Sequence, residues 1–191
     1  ERSRGLGDVY KRQEFSKHKK QNLVMRDLQQ LIQDRLNHML ITNPQRIDYL
    51  QRYQQIIAEY NGEQDRATIE KTFMELMDLA NSMDEEQQRY VREGFSSDEE
   101  LSVYDLLFSD NLSRKDIQAI KKVAVDVLAK VKSKIAELDH WTDKQETRAT
   151  VDNLIRDTLW EELPECYDEL SISGYRQKIY EYVYTRYKEA A

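Results

Sequence analysis

Apolar side chains recur every three or four residues through most of this 191-residue chain, and the residues that break helices are scarce. Leu28, Leu31, Ile32, Leu36, Met39 and Leu40 fall on one face of a helix. So do Leu50, Tyr53, Ile57 and Tyr60, then Ile69, Phe73, Leu76, Met77, Ala80 and Met83. The longest stripe is Ile117, Ile120, Ala124, Val127, Val131, Ile135 and Leu138, and Val151, Leu154, Ile155 and Leu159 continue the pattern. A period near 3.6 is the signature of amphipathic helices that bury one face. No alternating β-branched run bounded by tight turns competes with it. The pattern predicts an all-α domain, an irregular bundle of seven to eight helices, and the lack of a repeat of about 30–45 residues argues against a solenoid.

The breakers mark the element ends. Asn43-Pro44 reads as an N-cap followed by proline at the first helical position, where a missing N–H costs nothing. Gly62 and Gly94 are placed as C-terminal caps, Pro164 as a terminator, and Gly174 as the opening of a last helix over 174–187. Ser96-Ser97-Asp98-Glu99-Glu100 offers a Ser N-cap with Glu three residues later, Ser113 precedes Asp116 by three, and Thr142–Gln145 has the spacing of a capping box. The acidic runs Asp84-Glu85-Glu86 and Asp98-Glu99-Glu100 are read as first-turn carboxylates that favour the helix dipole.

The first thirteen residues differ from the rest. They hold two of the five glycines, Gly5 and Gly7, and no helical pattern. The run "SRGLGDVYKRQ" resembles one reading frame through a transposase adapter used in sequencing libraries, so 1–13 is set aside as a processing scar. The remaining 178 residues suffice for one continuous core, and without the scar's four basic and two acidic groups the formal charge moves from −7 to −9. Phosphate binding needs clustered Lys and Arg, which so acidic a chain does not advertise. No apolar run approaches the ~20 residues of a membrane span. The lone Cys166 excludes an intrachain disulfide and fits an intracellular protein with an incidental thiol.

Three blocks follow one another in order: "NPQRIDYLQRYQQIIAEYN" at 43–61, "EELSVYDLLFSDNLS" at 99–113 and "HWTDKQETRATV" at 140–151. Together they resemble the C-terminal helical domain of the R (restriction, motor) subunit of type I restriction–modification enzymes, over residues 23–163. The matching positions are Asn43, Pro44, Arg46, Asp48, Tyr49, Tyr53, Ile56, Tyr60 and Asn61, then Trp141, Thr142, Gln145 and Thr147. Most read as caps, core aromatics or buried polar links, and Arg46 and Asp48, two residues apart, should each have a separate partner. The resemblance implies residues 14–42 as a helix arriving from a motor domain, 43–191 as the C-terminal helical domain, and a cytoplasmic parent. It implies docking onto methyltransferase (M) and specificity (S) subunits, with DNA met through the whole complex and ATP and Mg used by other domains of the parent.

Within this chain no catalytic, cofactor or metal residue is expected. A motor needs a glycine-rich phosphate loop, and none of the three glycines beyond the scar adjoins Lys-Ser or Lys-Thr. Glu161 and Glu162 are adjacent helix positions about 100° apart and form no carboxylate pair. Two surfaces remain as candidates. The lysines of helix 114–138 (Lys121, Lys122, Lys130, Lys132 and Lys134) are possible DNA contacts, though scattered around the helix rather than gathered in a stripe. Tyr180, Tyr184 and Tyr187 flank the apolar face Ile172, Tyr175, Ile179, Tyr182 and Val183 of the last helix, and suit a partner surface or a helix wedged into its own domain. The "KHKK" run at 17–20 is read as a solvated helix start or linker. Two other functions stay open at the level of sequence: an independent helical scaffold or adaptor, and a helical nucleic-acid-binding domain.

Overall fold

A computed structural model describes residues 21–62 and 65–188. The adapter-like stretch at 1–13 and the lysine run at 17–20 lie outside the described residues. Among those described there are eight α-helices, one short 3-10 turn and no strand, as the periodicity predicts. The described residues divide into two compact units, one from residues 21–40 and 46–88, the other from 41–45 and 89–188.

The first unit contains most of α1 (Gln21–Thr42), with α2 (Ile47–Gly62) and α3 (Arg66–Gln87) packed on each other. Its core is the buried stripe of each helix: Met25, Ile32, Leu36 and Met39 from α1, Ile56 from α2, and Phe73, Leu76, Leu79, Ala80 and Met83 from α3. Asp65 caps α3, its carboxylate accepting the Thr68 N–H at 2.7 Å. That bond, with others from the same turn, holds the Asp65 carboxyl below its usual range. On the surface Lys71 of α3 reaches Glu59 of α2 at 3.0 Å.

The second unit holds α4 (Arg89–Glu93), α5 (Asp98–Leu107), α6 (Arg114–Glu137), α7 (Gln145–Glu162) and α8 (Glu169–Tyr187). Each of α5 to α8 packs on the next, and α8 returns to α5. The long stripe of α6 supplies Ile120, Val123, Ala124, Val127, Leu128, Val131 and Ile135 to the core. Val151, Ile155 and Leu159 of α7 and Ile172, Ile179, Tyr182 and Val183 of α8 complete it. The Ser113–Asp116 capping box forms in both directions, and Ser97 caps α5. Gly94 follows α4 at φ 84°, with the Phe95 N–H bonded to the Tyr90 carbonyl at 2.9 Å. That left-handed position is where glycine is cheapest.

Four local expectations give way to tertiary packing. Asp84, Glu85 and Glu86 end a helix instead of starting one, because Met83 continues the buried stripe of α3 and carries the helix to Gln87. Asp84 is held there by Arg35 at 2.8 Å and Glu86 by Arg46 at 3.0 Å. The Thr142 capping box does not form. Residues 138–144 make turns around Trp141, which is fully buried, with His140 at φ 44°, and α7 starts only after Lys144. Gly174 lies inside α8, whose start is set five residues earlier by Asp168 accepting the Ser171 N–H at 2.8 Å. Gly62 ends α2 without positive φ. Asn43 does serve as a cap, accepting the Gln45 N–H at 3.1 Å, but for a 3-10 turn, Pro44–Arg46, that precedes α2.

Candidate functional site

Arg46 is only 4 % exposed, and its Nε donates to Glu86 Oε1 at 3.0 Å within the first unit. Asp48 points elsewhere: it is exposed and lines a shallow recess with Tyr49, Arg52 and Ser82. The two residues therefore separate as their spacing predicts.

In the second unit, Asn43 is fully buried and its Nδ2 donates to Asp105 Oδ2 at 2.7 Å. Arg89 pairs with the same carboxylate oxygen. The Ser102 hydroxyl bonds to the carbonyls of Thr42 and Asp98 at 3.0 and 2.8 Å. Residues of the first and second sequence blocks thus meet through a carboxylate, Asp105, that stands in the mostly buried second half of α5. Sequence reasoning passed over Asp105, although a lone acid inside "LSVYDLLF" is the available signal. Burying a charge without partners is expensive, so such an acid implies donors nearby.

The third block packs against α8. Trp141 Nε1–H donates to the Tyr187 carbonyl at 2.8 Å, and Thr142 Oγ1 reaches the Lys188 carbonyl at 3.5 Å. These bonds satisfy carbonyls that the end of a helix leaves orphaned. The rings of Tyr180 and Tyr184 stand edge-on to the Trp141 indole, with centroids 6.4 and 5.8 Å away. Thr147 and Arg148 lock the loop from the other side, bonding the carbonyls of Trp141 and Thr142 at 2.6 and 2.7 Å. The three candidate tyrosines therefore converge on the end of the helix and its tryptophan. Tyr184 alone among them stays more than a third exposed, at 37 %.

Four of the five candidate lysines are engaged with carboxylates. Lys121 donates to the Glu93 carbonyl and carboxylate, both at 2.8 Å, and sits over the Phe95 and Tyr104 rings. Lys130 pairs with Glu162 and Lys134 with Glu137. Lys132 pairs with Glu99, which also receives Arg186 at 3.4 Å, and lies over the Tyr187 ring. The Glu99 carboxyl lies below its usual range: burial opposes the shift, and the Lys132 and Arg186 cations beside it overcome it. Lys122 is exposed. Among the described residues the lysines are scattered and mostly neutralised, and no group of His, Cys, Asp and Glu has the arrangement of a metal site.

Against this geometry the family comparison is decisive. The model of one family, described as "Type I restriction enzyme HindI endonuclease subunit-like, C-terminal", matches residues 9–172. The chain belongs to this family. The match takes in all three sequence blocks, includes residues 9–13 of the adapter-like stretch, and runs past Pro164 to Ile172 in α8. Comparison with curated proteins and with solved structures finds no match. No helix among the described residues of this restriction-subunit domain is long and apolar enough to cross a membrane.

Proposed function

We propose that this chain is the assembly module of a type I restriction endonuclease, docking its nuclease–translocase onto a methyltransferase–specificity core. Family membership supports the restriction context, and the choice of assembly over DNA tracking rests on one observation. Four of the five α6 lysines that could have followed a phosphate backbone are paired with Glu93, Glu99, Glu137 and Glu162 of the same unit. DNA would have to displace those carboxylates, and each would then add repulsion. Two buried polar residues of the sequence blocks are used internally in the same way, Arg46 on Glu86 and Asn43 on Asp105, so they fix a shape rather than grip a ligand.

On this reading the chemistry that uses ATP and Mg belongs to other parts of the parent subunit. The test is a parent subunit with and without the stretch corresponding to 21–188, assayed for co-purification with the M and S subunits and for nucleotide binding. The deletion is expected to abolish co-purification and to leave nucleotide binding unchanged. Co-purification at full yield without the domain would refute the proposal.

A further inference from the structure

We propose that the turn joining α7 to α8 is a docking surface for a basic polypeptide segment of the partner complex, with Trp160 and Leu170 as its apolar anchors. The inference rests on the assembly reading and names the face and the partner chemistry. Trp160, in the last turn of α7, is 59 % exposed, and Leu170, in the first turn of α8, is 85 % exposed. Isolated surface apolar residues are ordinary. These two belong to packed neighbouring helices joined by a six-residue connection, so they lie at the same end of a helical hairpin.

The platform beneath them is rigid. Leu159 is fully buried on the inner side of α7, and Tyr167 is buried in the connection itself. The Tyr167 hydroxyl donates to the Leu107 carbonyl at 2.7 Å, its N–H bonds the Pro164 carbonyl at 3.0 Å, and its ring stands edge-on to Tyr175 at 5.4 Å. A surface ordered before binding loses little entropy on binding.

Charge selects the occupant. The run 157–170 carries six acidic residues and no Lys or Arg. Asp157 is paired with Arg156, Glu162 with Lys130, and Asp168 caps α8. No ion pair among the described residues neutralises Glu161, Glu165 or Glu169, which are all exposed. Exposed apolar side chains and unpaired carboxylates at one end of a helical hairpin fit a segment that carries Lys or Arg beside an aliphatic or aromatic anchor. Arginine is the best match, since its guanidinium stacks on an indole face while its donors reach carboxylates. The same charge repels DNA, anionic lipid and a second copy of this surface.

The test uses the full parent subunit and the purified M–S complex. Two variants, W160A/L170S and E161K/E165K/E169K, are each expected to weaken binding at least about tenfold. The charge variant should also lose most of the salt dependence, and W160A/L170S should leave the melting temperature unchanged, because both altered side chains are exposed. In a peptide array covering the M and S subunits, the segments bound by this chain should be basic, and W160A should abolish their binding. Wild-type affinity for both variants would overturn the surface. If deleting the whole domain abolishes binding while both variants bind normally, the surface fails and the assembly reading stands. If the deletion changes nothing, the assembly reading fails and takes the surface with it. Self-association that W160A abolishes would also overturn the proposal, by making a second copy the occupant.

Discussion

Gly174 sits in the interior of α8, where a Cβ would meet nothing within 4 Å and the backbone is not at positive φ. Glycine in a helix gives up more backbone entropy than alanine on folding. Gly174→Ala should therefore raise stability by about 0.5–1 kcal/mol, read as a higher denaturation midpoint at constant slope. Gly94→Ala should do the opposite, because its φ of 84° strains any L side chain. An unchanged midpoint for Gly174→Ala would mean that α8 is not helical through that position. The buried pair in the first unit makes a different demand. With side-chain exposures of 4 % and 9 %, Arg46 and Glu86 cannot be separated without stranding a charge. Arg46→Ala should cost about 3–5 kcal/mol, whereas the double change Arg46→Met with Glu86→Leu should recover most of it. A double variant as unstable as the single one would contradict this. Glu86 was legible in principle: it lies three residues beyond Met83 on the α3 stripe, a carboxylate where the period asks for an apolar residue. Its partner was not legible, because Arg46 is forty residues away and only the fold brings the two together.

Helices with strong periodicity could be read from sequence because each stripe is itself the force that docks the element. The long α6 is the clearest case: its expected face and its buried face coincide, and its capping box forms as the spacing predicts. Element ends were less legible. Trp141 is large enough to dictate the path of residues 138–144 by its own burial, and that overrides the local capping signal at Thr142. For the same reason the sequence leaves open whether the α8 tyrosines form a partner surface or a wedge into their own domain, and the rings of Tyr180 and Tyr184 stand against an indole that only the third dimension supplies. Helix α8 also carries a pH signature. The Tyr182 hydroxyl is buried without a hydrogen-bond partner, and burial pushes its pKa up to about 12. Unfolded tyrosine ionises near pH 10. A folded pKa above the unfolded value gives stability that is fully present below about pH 10 and is lost as pH rises toward 12. Tyr182→Phe should remove that contribution and flatten the alkaline limb of a stability profile, with little change at pH 7 because no hydrogen bond is broken. A profile as steep as wild type would place the titration elsewhere, at Tyr187 or Tyr167, whose hydroxyl pKa values burial also raises.

Over the whole molecule, one amphipathic pattern builds two separate cores, the first centred on Leu36, Leu76 and Met83, the second on α6 and Trp141. The division into two units was not visible in the sequence, since the α3–α4 junction carries neither a proline nor a glycine to announce it. The family was visible, because three blocks in order specify more than any one of them. The central claim is that a domain in which four of the five candidate α6 lysines are internally paired acts on proteins and not on DNA. It is tested most directly by sedimenting the 191-residue chain, at physiological salt, with the purified M–S complex and, separately, with duplex DNA. The account predicts a faster boundary with the M–S complex that contains both components, and an unchanged boundary with DNA. Co-sedimentation with DNA alone, weakening steeply as salt rises, would contradict it and make this domain a nucleic-acid-binding one.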